Sequence, residues 1–200
     1  SKLPQLLSDI QTAAVEVDAV PGFSSGMHVH VARPRLDNVT RGEMVEIIAG
    51  LEGRLQSLAR GRFEMHRSNN TRIVDAVNAI RYDWDSYGKE DYDSWHDYLF
   101  VRYNDMDRHI NLCTRTRHNT WEFRIWNSTR SAWRMEMNIR LSLLLINYEF
   151  LIAAKETSTL NEFIAVVPHF DPTLHELLVK QADYISNNPN PPGLTELTNA

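Results

Sequence analysis

The sequence predicts an α+β fold, an antiparallel sheet with helices packed on one of its faces. Residues 27–31 alternate apolar and polar side chains, as a strand with one buried face does. Residues 109–115 and 120–126 also have strand character, and the short polar turn between them predicts an antiparallel hairpin. Elsewhere, most apolar residues recur at helical spacing, so the rest of the chain is expected to be largely helical.

The first helix and the first strand are predicted from two different periods. Residues 3–17 carry apolar side chains at helical spacing, and Pro21 with Gly22 should end this helix. In the strand that follows, the period of two directs Met27, Val29 and Val31 to one face and both histidines between them to the other. Pro34 should end this strand.

The middle of the chain combines helical segments with a stretch of mixed pattern. Thr40 and Glu43 have the spacing of a capping box, which predicts a helix from there to about Arg60. Residues 72–80 are compatible with a helix. The acidic and aromatic residues 82–98 suggest an irregular surface loop around a short helix.

The last part of the chain is predicted to be helical. The pattern indicates one long helix at residues 131–154 and two shorter ones at 159–166 and 172–185. Residues 186–200 are rich in proline and asparagine and should form an extended or disordered tail. We therefore expect a single domain over residues 1–185.

Composition excludes several classes of protein. The 200 residues are 42% hydrophobic and 24% charged, the range of ordinary globular domains. The net charge of −5 argues against general nucleic-acid binding, and the most apolar stretch, residues 141–146, is too short to span a membrane. Cys113 is the only cysteine, so no internal disulfide can form. We expect a cytoplasmic protein with neither nucleic acid nor membrane as a partner.

His28 and His30 form the first candidate site. Neighbours on one strand face lie about 7 Å apart, so the two imidazoles could bind one metal, or one a metal and the other a phosphate. The alternative is an ordinary solvated strand face, and the pair alone does not decide between them.

Glu122 and Arg124 form the second candidate site. Strand alternation places both on one face with Trp126 or its neighbourhood, whereas Trp121, Phe123 and Ile125 should face the core. One interpretation is a structural ion pair. The other assigns Glu122 as a metal ligand and Arg124 as a clamp for a substrate carboxylate.

Two arginines provide a third candidate. Arg67 lies in the segment HRSNN and Arg108 in DRHIN, and both could face phosphates. Solvated arginines are the simpler explanation of these two. We assign no role to His96 or His118.

Four segments in this order resemble a known family. SGMHVHV, RSNN, DRHIN and TWEFRIWNST are similar to motifs of the amidoligase family, within the glutamine synthetase and glutamate–cysteine ligase superfamily. The resemblance covers about residues 1–154. It implies a glutamine synthetase-like catalytic domain that joins a carboxylate to an amine through an acyl-phosphate, using ATP and Mg²⁺ or Mn²⁺.

The resemblance also implies roles for individual residues. His28 and Glu122 match metal ligands, and His30 matches a group near the ATP phosphates. Arg124 matches the arginine that holds the substrate carboxylate, while Arg67 and Arg108 match arginines on the phosphate side. The substrates implied are small-molecule or peptide carboxylates and amines.

The sequence departs from the family in two places. Ala32 stands where glutamine synthetases commonly have a serine, and the G-x-E-x-E strand that supplies acidic metal ligands is not found. We therefore expect an N-terminal segment or another chain to complete the sheet, which makes the domain incomplete at its N-terminus. The alternatives are a catalytically inactive structural module in a larger complex, and a zinc or manganese hydrolase that uses the histidine pair with Glu122.

Overall fold

The α+β class is confirmed by a computed structural model, which describes residues 2–19, 26–59, 71–86, 91–106, 110–127 and 129–187. These residues are mostly helical and include one small antiparallel sheet. The elements are α1 (Leu3–Glu16), β1 (Gly26–Ala32), α2 (Asn38–Ala59), α3 (Ile73–Ser86), α4 (Trp95–Asp105), β2 (Leu112–Cys113), β3 (Thr120–Asn127), α5 (Ala132–Leu144), α6 (Tyr148–Lys155), α7 (Leu160–Val166), the 3-10 turn Val167–His169 and α8 (Pro172–Asn187).

The sheet has the strand order β1-β3-β2, and both pairings are antiparallel. The predicted hairpin of β2 and β3 is therefore present, although only Leu112 and Cys113 form β2. His30 pairs with Glu122 across β1 and β3, whereas Met27 pairs with Trp126. The register shifts between these two pairs, so β3 contains a β-bulge beside His28.

Helix α2 is the centre of the core. It packs against α3, α4, α6 and β3, and most of its apolar side chains are almost fully buried. These include Met44, Ile48, Leu51, Leu55 and Leu58. The apolar faces of β1 and β3 belong to the same core cluster, so the opposite sheet face carries the polar residues of both strands.

Gly42 brings two helices unusually close together. A Cβ atom at Gly42 would lie only 1.9 Å from the backbone oxygen of His96, at the start of α4. Any other residue would therefore push α2 and α4 apart. A Cβ atom added at Gly50 or at Gly53 would contact no neighbouring atom, so packing does not require glycine at either position.

The start of α2 differs from the prediction. Asp37, and not Thr40, caps the helix: Asp37 Oδ1 accepts the Thr40 N–H at 2.8 Å, and the Thr40 hydroxyl donates to Oδ2 at 3.0 Å. Glu43 instead accepts a hydrogen bond from the Tyr148 hydroxyl at 2.6 Å. The capping box predicted for Thr40 and Glu43 is therefore wrong.

The single long helix predicted for residues 131–154 is also wrong. The chain forms α5 and α6, which meet at an angle of 94°. Asn147 causes the break, because its side chain accepts the Phe150 N–H at 3.2 Å and starts a new helix. In the described part of the chain, no helix alone has the length and hydropathy to cross a membrane. Helices α5 and α6 have this length and hydropathy only when they are counted as one segment, and that segment is bent.

The remaining helices largely follow the prediction. Thr159 and Glu162 form a true capping box at the start of α7. Helix α8 continues through residues 186 and 187, two residues into the predicted tail, and residues 188–200 lie outside the described residues. The predicted loop at 82–98 proves to contain the end of α3 and the first turn of α4.

Candidate functional site

His28, His30 and Glu122 converge on the polar face of the sheet. Glu122 Oε1 lies 2.9 Å from His28 Nδ1 and 3.6 Å from His30 Nε2. The carboxylate side chain is 7% exposed, whereas the two imidazoles are 43% and 42% exposed. The two histidines thus form the solvent-facing side of a cluster whose acidic member is buried beneath them.

Arg124 holds the same carboxylate from the side. Its Nη2 donates to Glu122 Oε2 at 3.0 Å, and its Nε lies 3.0 Å from Oε1. Burial raises the pKa of Glu122, but the hydrogen bond and charge of Arg124, with the charges of His30 and His28, lower it more. The pKa of Glu122 therefore lies below its ordinary value, and the group is a carboxylate at neutral pH.

The β-bulge decides which side chains belong to this cluster. Trp126 was expected on the face of Glu122 and Arg124, but it is fully buried and donates to Ser142 Oγ at 2.7 Å. Because the bulge adds one residue to β3, the alternation changes between Arg124 and Trp126. The placement predicted for Trp126 is therefore wrong, and that predicted for Glu122 and Arg124 holds.

A polar turn supports His30 at the start of β3. His30 Nδ1 lies 3.0 Å from Thr120 Oγ1, which in turn lies 2.7 Å from Thr116 Oγ1. His118, on the same turn, places its ring edge-on to His30 with centroids 6.4 Å apart. Sequence reasoning missed His118, and no signal along the chain could have found it, because its contact with His30 depends on the hairpin turn lying beside β1 in the folded sheet.

A buried carboxylate of α2 is connected by hydrogen bonds to β3, the strand that carries Glu122 and Arg124. Glu52 is fully buried and accepts hydrogen bonds from the backbone N–H groups of Ile73 and Val74, each at 3.0 Å. The Asn111 side chain donates to Glu52 at 3.2 Å, and the Asn111 carbonyl accepts the Arg124 N–H at 2.8 Å. Asn111 in the DRHIN segment is thus a link between the core and the site.

Of the three arginines that were predicted to contribute to the site, the structure describes one. Arg124 belongs to the cluster, whereas Arg67 and Arg108 lie outside the described residues. Over the described ranges, no group of three or more His, Cys, Asp or Glu side chains has the arrangement of a metal site. The geometry that is present is an ion cluster of one carboxylate, one guanidinium and two imidazoles, and it is suited to binding an anion or sharing a metal with further ligands.

Comparison of the chain with protein-family models, with curated proteins and with solved structures found no match.

Proposed function

We propose that this chain is part of an ATP-dependent carboxylate–amine ligase of the amidoligase type, with a glutamine synthetase-like catalytic domain. The enzyme would form an amide or peptide-type bond through an acyl-phosphate. The observation that carries the proposal is the convergence of His28, His30, Glu122 and Arg124 on one sheet face. Two motifs far apart in sequence supply these residues, and strand pairing brings them together.

Arg124 is assigned to the substrate carboxylate. A planar guanidinium can bind a carboxylate through two parallel contacts, and Arg124 already donates from Nη2 to the carboxylate of Glu122 at 3.0 Å. Holding the carboxylate in place favours its attack on the γ-phosphate, since this reaction depends on positioning and on charge stabilisation. His30, Arg67 and Arg108 are assigned to the phosphates of ATP. A cytoplasmic location, with a ready supply of ATP, is part of the proposal.

The described donors do not by themselves fit a magnesium site. Mg²⁺ prefers oxygen ligands in an octahedral arrangement, whereas His28, His30 and Glu122 offer two imidazoles and a single carboxylate. The proposal therefore requires acidic ligands from elsewhere. Among the described residues β1 pairs only with β3, so its other edge is where an additional acidic strand would join the sheet.

The test combines turnover with the mass of the native protein. We expect the intact native protein to include an upstream acidic strand and to release ADP from Mg²⁺-ATP in the presence of an amine and a carboxylate. His28→Gln should abolish this turnover, whereas His169→Gln, an exposed histidine after α7, is the matched control. A native protein that begins at Ser1 and releases no ADP with any substrate pair would refute the ligase.

A catalytically inactive structural module is the second candidate. It is favoured by one observation: Glu122 Oε1 contacts both His28 and Arg124, so the carboxylate is already neutralised within the chain. For this module, adding Mn²⁺ should leave the imidazole NMR signals of His28 and His30 unchanged, whereas for the ligase it should broaden them. Stoichiometric zinc in the purified protein would instead favour the hydrolase.

A further inference from the structure

Helix α1 has two apolar faces, and only one of them is buried in the fold. On the buried face, Leu7 is 4% exposed and Gln11 accepts the backbone N–H of Ala132 at the start of α5. The second face, here called the α1 stripe, contains residues spaced alternately by three and four positions. They are Leu3, Leu6, Ile10, Ala13 and Val17.

The α1 stripe is exposed from Leu6 onwards, whereas Leu3 at its start is half-buried. Leu6 is 55% exposed, Ile10 45% and Val17, just after the helix, 76%. Single exposed apolar residues are common on protein surfaces, but a continuous row of them marks a contact surface. The alternating spacing is that of the a and d positions of a coiled coil, so the shape that fits it best is another helix with the same spacing.

The charges beside the α1 stripe indicate which helix this is. Lys2 and Glu16 flank the stripe on the same side, at opposite ends, and both are exposed. If two copies of α1 pack antiparallel, Lys2 of each copy lies opposite Glu16 of the other. Parallel packing would instead place Lys2 and Asp9 beside the apolar residues Leu7 and Ala14 of the other copy, where no opposite charge meets them. In the antiparallel pair, Asp9, midway between Lys2 and Glu16, would face its own copy and is the one unfavourable pair.

We propose that the α1 stripe is the contact surface of a homodimer in which two copies of α1 pack antiparallel. Fourteen residues of helix are about 21 Å long, which is short for an interface of standard size. The dimer is therefore in rapid equilibrium with the monomer and forms in the micromolar range or above. This inference does not depend on the ligase activity.

Sedimentation velocity over a concentration series tests the proposal on the complete chain. We expect a monomer–dimer equilibrium whose dissociation constant rises at least about tenfold in the double variant Leu6→Gln/Ile10→Gln. The control, Val39→Gln/Tyr82→Gln, removes exposed apolar side chains from α2 and α3 and should leave the constant unchanged. A wild-type monomer at every concentration overturns the proposal, as does equal weakening by the control.

Charge exchange tests the antiparallel orientation, and circular dichroism confirms that each variant remains folded. Lys2→Glu and Glu16→Lys should each weaken the homodimer, because each places like charges opposite one another at both ends. The double variant Lys2→Glu/Glu16→Lys should restore it. Failure of the double variant to dimerise overturns the antiparallel arrangement. Asp9→Asn should strengthen the dimer, and weakening by this change would contradict the proposed pairing.

Discussion

His28 Nδ1 lies 2.9 Å from Glu122 Oε1, although the two residues belong to different strands and to distant segments of the chain. The contact joins a half-exposed imidazole to a buried carboxylate. A carboxylate in this position is unfavourable unless charged or polar groups surround it, and here the Arg124 guanidinium and the ring nitrogens of His28 and His30 lie against it. The cluster therefore contributes to the folding of the sheet and also forms the candidate site.

Replacing Glu122 by glutamine should destabilise the protein in a pH-dependent way. At neutral pH we expect a loss of about 1–3 kcal/mol in the free energy of unfolding, because Arg124 loses its charged partner. The folded-state pKa of Glu122 lies below the ordinary value of 4.5, so its stabilisation is present above pH 4.5. It is lost as the pH falls through the folded-state pKa. Urea unfolding of both proteins across this range should show their difference shrinking in acid.

Arg124 should control the pKa of Glu122. In Arg124→Ala the effect of burial remains while the largest opposing influence is removed, so the pKa should rise. Carbon-13 NMR titration of labelled glutamate carboxyls measures this directly. Arg117→Ala, a change at an exposed arginine of the neighbouring turn, is the control and should leave the pKa of Glu122 where it was.

Glu52→Gln should lower the stability of the protein and loosen the strand that carries the candidate site. Glutamine has one acceptor oxygen, so it cannot accept from Ile73 and Val74 through separate oxygens as Glu52 does. We expect a loss of about 2 kcal/mol in the free energy of unfolding, since a buried donor is left unpaired. Faster hydrogen exchange of the Arg124 amide, compared with the amides of α8, would show that the disturbance reaches β3 through Asn111. Unchanged exchange at Arg124 would argue against this link.

Replacing Gly42 or Gly50 of α2 by alanine should change the stability of the protein in opposite directions. Gly42→Ala should cost about 1–3 kcal/mol of stability, because the new methyl group collides with the His96 backbone. Gly50→Ala meets nothing and should stabilise the helix by about 0.5–1 kcal/mol. Thermal unfolding of the two variants beside the wild type checks both signs. A stabilising Gly42→Ala would mean that α2 and α4 are not held at this distance.

The site could be predicted from sequence where a local period controls it. Alternation along β1 placed His28 and His30 together, and alternation along β3 placed Glu122 and Arg124 together, because strand geometry depends only on neighbouring residues. That the two pairs share one sheet face follows from the pairing of β1 with β3, which the sequence left open. The position of Trp126 could not be predicted this way. The bulge results from the pairing of two strands that are far apart in sequence, and no pattern within β3 reveals it.

The break between α5 and α6 was predictable in part. Asn147 with Glu149 just after it has the composition of a helix start, yet the apolar periodicity of the surrounding residues hid this signal. The contact of His118 with His30 depends on the hairpin turn lying beside β1. Such a contact is a property of the folded sheet, and spacing along the chain carries no information about it.

The bulge in β3 also has a consequence for folding fidelity. In a regular antiparallel pair, sliding β1 by two residues along β3 would keep every apolar side chain on the core face, so a misaligned sheet would cost little. With the extra residue beside His28, such a slide breaks the alternation on one side of the bulge and exposes core side chains. The bulge therefore makes the observed register of β1 and β3 lower in free energy than a register shifted by two residues.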